Sequence, residues 1–370
     1  MKLSCNKREL VEALQIVSKA VAAKPQTPIM SGIYLRAEND TLEIQANNYE
    51  LGLVAKIPAQ VEEPGQLVAT GRYLQEVVRR LPGETVTFAY RKEENIVQIQ
   101  SDTSNFTLLS MNASEFPTIR YLEDQLSFTI KDNVLRKLIK KTVFSCATDE
   151  SRPIFTGCYM DINDTLITMA ATNTHRLSVK TAVFDENIGN IRIIIPSRVL
   201  NELMHIINSD IPTDVRVTCS HNQISFECDN IYITSRLIEG QFPDYQNIIP
   251  KSFATEVRMN TSELIAAVDR VALISRANDY NIIRFDFSGQ KLHISSNNPE
   301  IGNAEDTVAA EITGPDVNIA FNAQYIVDVL KNLDEEECRM ELNQPLQPAA
   351  IHEGSDSTFI YVVTPVRTAN

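Results

Sequence analysis

Cys219, His221 and Cys228 are the nearest the chain comes to a metal-ligand spacing, two thiolates and an imidazole of the kind zinc accepts. A closed structural zinc site takes a fourth ligand, and none stands at a workable spacing. The run around them also alternates apolar and polar residues, so all three read as ordinary strand residues. The remaining histidines, His175, His205, His293 and His352, are scattered, and none pairs with a cysteine or a second histidine at zinc spacing. No Gly-x-Ser-x-Gly turn is present to raise a serine nucleophile. The twelve glycines come no closer than Gly65 and Gly71, six residues apart. That spacing excludes both the Gly-x-Gly-x-x-Gly turn and the Gly-x-x-x-x-Gly-Lys loop that cradle phosphates. Acidic residues are abundant, but abundance nominates no general acid or base. The inventory points away from catalysis and asks for no metal or cofactor.

The elements that would carry a function belong to a folded, soluble chain. Its 370 residues are enough for two or three domains with cores of their own. Hydrophobic residues at 43% and charged residues at 22% argue against disorder. No apolar run approaches the ~20 residues of a membrane span, so no membrane partner is expected. The segment Met1-Lys2-Leu3-Ser4-Cys5-Asn6-Lys7-Arg8 turns polar before the apolar core of a signal peptide could form, and the six cysteines show no framework spacing. Free thiols in a reducing cytoplasm are expected. With 34 basic and 48 acidic residues the formal charge is −14, which taken whole opposes a phosphate-rich partner.

Self-similarity at a period near 125 residues organises the chain. Asn47-Asn48 follows the alternating run Thr41 to Gln45; Thr172-Asn173 stands 125 residues further on, after Leu166 to Met169; Asn297-Asn298 stands another 125 on, after Lys291 to Ser295. Helical segments starting at Gly71, Ser197 and Asn322 repeat at nearly the same step. The first helix of each repeat opens on a capping side chain: Asn6 with Glu9, Asp132, and Asn260 with Glu263. Apolar residues follow at three- and four-residue spacing, as in Leu10, Leu14 and Val17, then Val134, Leu138 and Val143, then Leu264, Val268 and Val271. Between the helices lie alternating strands such as 85–90, 96–100, 215–219, 223–227 and 231–236. Each repeat reads helix, strands, helix, strands, which predicts an α+β unit with helices covering one face of antiparallel sheet. Glu115-Phe116-Pro117 and Gln241-Phe242-Pro243 close the first two repeats in the same way. Three domains are expected, at 1–122, 127–250 and 251–370.

The charge divides unevenly over these elements. Helices are predicted at 7–20, 71–81, 131–145, 197–208, 261–276 and 322–333. They hold fifteen basic and eight acidic residues, a sum of +7, leaving −21 for everything else. The clearest case is 131–145, where Lys137, Lys140 and Lys141 are expected opposite the apolar stripe of Val134, Leu138 and Val143. The last three helices sum to zero.

At this point the residues match a family. The chain resembles the bacterial DNA polymerase III beta subunit, the sliding clamp, along essentially its whole length. The resemblance is carried by Lys24-Pro25-Gln26-Thr27-Pro28-Ile29, Ala171-Thr172-Asn173-Thr174-His175-Arg176-Leu177, Gly240-Gln241-Phe242-Pro243-Asp244-Tyr245, Ser296-Asn297-Asn298-Pro299-Glu300 and Tyr361-Val362-Val363-Thr364-Pro365-Val366-Arg367. It implies three repeated clamp domains and a homodimer closed head to tail into a six-domain ring, helices lining the hole and sheets outside. It also implies a processivity factor, not an enzyme, that encircles double-stranded DNA without reading sequence. Such a ring tethers a replicative polymerase, a clamp loader and other proteins carrying a clamp-binding motif. Basic helices facing phosphate and acidic sheets facing solvent would then account for the partition of charge.

By position, the resemblance implies DNA contacts at Lys24, Arg72, Arg152, Arg198, Lys137, Lys140 and Lys141. It implies an apolar peptide cleft between the second and third domains. One side would be Phe155, Thr172, Thr174, His175, Arg176, Leu177, Pro243 and Ile248; the other would be Leu346, Pro348, Val362, Thr364, Pro365, Val366 and Arg367. Val363 reads better as core strand. The ring seam maps to Phe106 and Leu108 of one subunit against Leu273 and Ile274 of the other, with buried core as the competing reading for all four. The chain departs from the family where Asn173-Thr174 replaces the common Asp-Gly, since Thr suits a positive φ less well than Gly. It departs again at Asn247, often basic, and at the extra Thr368-Ala369-Asn370. A specialised clamp paralogue serving toxin resistance or repair, or an α+β enzyme on a triplicated scaffold, are the competing functions.

Overall fold

The computed structural model describes residues 1–22, 25, 27–123, 126–208, 211–275 and 281–367. Six helices appear where the apolar spacing places them: α1 (Lys7–Val17), α2 (Gly71–Arg80), α3 (Asp132–Lys140), α4 (Ser197–Ile206), α5 (Thr261–Ser275) and α6 (Ala323–Leu330). The capping residues act as expected. Asn6 Oδ1 accepts from the amides of Arg8 and Glu9 at 2.9 and 3.2 Å, and Asn260 Oδ1 from Glu263 at 3.0 Å. Asp132 is itself the first helical residue, its Oδ1 accepting from Asn133 and Thr213 at 2.7 and 3.0 Å. The predicted span 131–145 is too long. α3 stops at Lys140, Thr142 turns its hydroxyl back onto the Leu138 carbonyl at 2.7 Å, and Val143–Ser145 forms a separate tight turn.

The described residues fall into two compact units, 1–133 with 201–237 and 134–200 with 238–370. In the first, a twelve-stranded antiparallel sheet takes eight strands from the first repeat. It continues into the second repeat because Leu51–Glu63 pairs with Ile231–Arg236 in the register Leu53 to Ile233. In the second unit a nine-stranded sheet makes the next crossing, where Arg176–Val183 pairs with Asp356–Val363 and Leu177 stands opposite Val362. Sheets therefore pass between repeats through last-strand pairings, and repeat boundaries are not sheet boundaries.

The third repeat shows how the helices are used. Leu264, Val268 and Val271 of α5 and Ile326 and Leu330 of α6 are buried between the four-stranded sheet carrying Phe285, Phe287 and Phe321 and the nine-stranded sheet carrying Met340, Phe359 and Tyr361. The alternation of each strand puts one row into this core. Burying one such side chain is worth about 1.5–3 kcal/mol.

Candidate binding cleft and cationic face

The segment Thr172–Leu177 is a turn followed by the first residues of a strand, and it positions the cleft residues by its own hydrogen bonds. Asn173 Oδ1 accepts from the amides of His175 and Arg176, both at 3.1 Å. Thr172 Oγ1 donates to the Arg176 carbonyl at 2.6 Å and accepts from the Thr174 amide at 3.1 Å. Thr174 sits at φ 77°. A β-branched residue thus holds the left-handed position that the sequence put in doubt, held there by this side-chain wiring.

Beneath the turn, Leu177, Val362, Phe242 and Tyr245 form one buried cluster with Ala170, Val179 and Ile194. Phe242 stacks on Tyr159 at 5.0 Å and meets Phe155 edge-on at 6.5 Å. Burial pushes the Tyr245 hydroxyl up to about 12 and raises the hydroxyl of Tyr361 as well, so neither is poised to move a proton. Above the cluster, Phe155, Thr174, His175 and Arg152 line a hollow of about 400 Å³ together with Tyr325. Ile248 and Leu346 are exposed apolar side chains, 47% and 62% accessible. The loop holding Leu346 and Pro348 runs directly into Ala349, which pairs with Val363. Thr364 is drawn onto the turn by two bonds to the His175 carbonyl, from its amide at 3.0 Å and its hydroxyl at 2.9 Å. Pro243, Pro365 and Val366 are half-buried, Arg367 is exposed, and Val363 is fully buried.

Three expected cleft residues have other work. Val362 and Leu177 are floor, each 2% exposed. Arg176 points inward: Nη1 is 2.5 Å from Asp328 Oδ2, Nη2 donates to the Phe144 carbonyl at 2.5 Å, and the guanidinium lies 4.6 Å from the Tyr325 ring centre. It braces the wall of the hollow and does not line it. Tyr325 and Asp328 were not singled out in the sequence. Their only signal was the amphipathic pattern of α6, which makes both look like ordinary helix residues.

The cationic residues also divide. Lys141 is 2% exposed, its Nζ 2.6 Å from the Asn332 carbonyl, 2.6 Å from Glu353 Oε2 and 3.0 Å from Asp334 Oδ2. It cannot reach a ligand in solvent, which corrects its assignment as a DNA contact. The physical reason is helical phase: three residues beyond buried Leu138, it falls on the apolar side and not opposite it. Lys140 is partly exposed but paired with Asp334. Arg72, Arg198 and Lys137 are exposed with no ion pair to a carboxylate among the described residues, and Arg152 is exposed within electrostatic reach of Asp149; Lys24 lies outside the described residues. Lys140 and Lys141 thin the +7 of the helices because Asp334 and Glu353 stand outside those spans, whereas the pairs of Arg79 and Arg80 with Glu76 and of Lys19 with Glu202, at 2.6 Å, lie within that sum already.

Phe106 and Leu108 stand on one face of the strand Ser104–Met111, opposite the buried Ile99 and Val97. Phe106 is 41% exposed and Leu273 of α5 is 65% exposed, while Leu108 and Ile274 are half-buried. Leu109, not singled out from sequence, is the most exposed of this group at 77%. Only the last residues of that strand pair with a second neighbour, Met111 with Val68 and Ser110 with Ala69, so its first part is a sheet edge. Gly302–Ala309 ends the four-stranded sheet as another edge. Cys219 and Cys228 are buried strand residues flanking His221 in a turn, and no group of three or more His, Cys, Asp or Glu converges among the described residues.

Repeated α+β domains with continuous sheets, an apolar cleft and exposed cations define a clamp-type binding protein. Residues 1–120, 129–244 and 246–367 match the N-terminal, central and C-terminal domains of the DNA polymerase III beta subunit. The chain belongs to that family. It is 32% identical to the beta sliding clamp of Bacillus subtilis and 28% identical to that of Staphylococcus epidermidis, each covered completely by this chain and covering it completely. The solved B. subtilis DNA polymerase sliding clamp superposes with a TM-score of 0.95 at 31% identity over all of both chains. A Pseudomonas aeruginosa sliding clamp bound to griselimycin superposes with a TM-score of 0.93 at 28% identity, again over all of both chains.

Proposed function

We propose that two copies of this chain close head to tail into a ring around duplex DNA and slide on it in the cytoplasm, holding a replicative polymerase and other partners through the cleft beside Leu177 and Val362. The observation that carries the reading is the full-length match to sliding clamps in all three repeats. The free edge at Ser104–Leu109 of one copy would extend the free edge at Gly302–Ala309 of the other, with Phe106, Leu109 and Leu273 packed at the seam. Domains at 1–122, 127–250 and 251–370 then make six around the ring.

DNA would be held by enclosure and by phosphate contacts from Arg72, Lys137, Arg198 and Arg152, with Lys24 as a further contact. Such contacts carry no sequence information and weaken steeply with salt. In the cleft, a partner segment would place apolar anchors over Leu177, Val362 and Phe242, with Ile248 and Leu346 at the rim and His175 and Thr174 offering polar contacts. That a related clamp holds griselimycin is consistent with a site for a peptide-like ligand.

A fluorescein-labelled peptide with Gln-Leu anchors tests the cleft by anisotropy. Ile248→Asp and Leu346→Asp should each weaken it about tenfold, the order expected for losing an anchor contact. Unchanged affinity in both variants would refute the cleft.

A further inference from the structure

The turn that rims the cleft has a twin one repeat earlier, with the same internal wiring. Asn48 Oδ1 accepts from the amides of Glu50 and Leu51 at 3.1 and 2.8 Å, as Asn173 does from His175 and Arg176. Asn47 Oδ1 accepts from the Tyr49 amide at 2.8 Å, and Tyr49 is left-handed at φ 70°, close to the 77° of Thr174. The next repeat ties each turn down alike: the Arg236 amide donates to the Glu50 carbonyl at 3.1 Å, as that of Thr364 does to His175 at 3.0 Å. Even the aromatic pair beneath recurs, Tyr34 stacking on Phe116 at 5.3 Å and Tyr159 on Phe242 at 5.0 Å.

The chemistry on this shared frame is opposite. By register with the paired strands, Leu177 and Val362 of the cleft correspond to Gly52 and Thr234. A Cβ at Gly52 would fall 2.9 Å from Ile119 Cδ1 and 2.8 Å from Thr234 Cγ2. The missing side chain lets Ile119 settle there at 8% exposure and fill the apolar floor from within. What stays open is a hollow of about 270 Å³ with polar walls. On it stand Arg120 and Arg236, both exposed and without a carboxylate partner among the described residues, with Gln223 and Thr234 beside them. Glu50 is the single acidic side chain of the lining, so the hollow is net positive in a chain of charge −14.

We infer that this hollow is a second docking site, for the carboxylate side chains of an acidic peptide segment. Guanidinium groups bind carboxylates by paired, charge-assisted hydrogen bonds, and the Gln223 amide and Thr234 hydroxyl add neutral donors. The inference does not depend on what occupies the apolar cleft. One frame would thus offer an apolar site at the junction of the second and third repeats and an anionic-ligand site at that of the first and second.

Anisotropy of a fluorescein-labelled hexaglutamate peptide against the intact protein tests it. Arg120→Glu and Arg236→Glu should each raise Kd about tenfold, the order of one charge-assisted hydrogen bond, and Arg236→Lys should rise less. Arg72→Glu with Arg198→Glu should leave Kd within about twofold, as expected for distant surface charges. A Gln-Leu peptide should not compete. Equal Kd in Arg120→Glu, Arg236→Glu and the unaltered protein would overturn the proposal. So would no saturable binding, or a loss caused instead by Arg72→Glu with Arg198→Glu, which would put the peptide on the DNA-facing cations.

Discussion

Lys141 Nζ lies 2.6 Å from Glu353 Oε2 with both side chains sealed from solvent, at 2% and 4% exposure. The pair ties the end of α3 to the last strands of the chain, and Asp334 and the Asn332 carbonyl complete its coordination. A buried ion pair adds little against a well-packed apolar alternative, but breaking one leaves an uncompensated charge.

Lys141→Ala should therefore cost about 3–5 kcal/mol in urea unfolding, because Glu353 is left buried without its counterion. Lys137→Glu, one turn earlier and exposed, should leave the urea midpoint unchanged while weakening DNA retention. Equal midpoints for both variants would show that Lys141 is not the buried member.

Acid should act on the same joint. Burial raises the Asp334 carboxyl, but the hydrogen bonds and charges of Lys140 and Lys141 outweigh it, and its acidity lies below the usual carboxylate value. A depressed folded value means stability present above the unfolded pKa of ~3.9 and lost as pH falls through the folded value. Asp334→Asn should thus be less stable than the unaltered protein at pH 7, with the gap closing below about pH 4. A gap that stays constant from pH 7 to pH 3 in chemical denaturation would contradict this.

Asp328→Asn should release Arg176 from its ion pair and loosen the Tyr325 ring that the guanidinium stacks on. The expected result is a lower melting temperature, from a loss of about 3 kcal/mol, together with weaker binding of a Gln-Leu peptide. Unchanged affinity in a folded variant would show that the wall does not need its brace.

All six cysteines are buried and unpaired, and burial pushes the thiols of Cys5, Cys219 and Cys338 up to about 12. Native protein at pH 8 should resist a thiol reagent over minutes, and six thiols should react in guanidinium. Rapid reaction of one thiol in the native state would mark a local opening.

If the proposed dimer forms through this seam, Phe106→Arg or Leu273→Arg should convert it into monomers of 41.5 kDa by light scattering, with helical content unchanged. Both side chains are exposed in the single chain, so the substitutions would disrupt the proposed interface without opening a core.

The repeat, the helix starts and most strands were legible in sequence, because Asn6, Asn260 and the apolar rows around them act locally. Two things were not. The phase of Lys141 depended on where α3 ends, and the stripe Val134, Leu138, Val143 hid that Leu135 and Ile139 are buried while Lys141 follows them inward. The direction of Arg176 depended on Asp328, 152 residues away and marked by no local pattern. The net charge of −14 misled for a related reason. It sums over surfaces with different partners, and pairing of Lys140 and Lys141 with Asp334 and Glu353, acidic residues outside the helices, then removes part of the helical excess as well.

Enclosure of DNA is read directly by retention on nicked circular DNA before and after linearisation. Protein assembled on the circle by a clamp loader should co-elute with it in gel filtration at moderate salt and be released when a single cut opens the circle. Protein that stays bound to the linear product, or that binds linear and circular DNA alike, would contradict it.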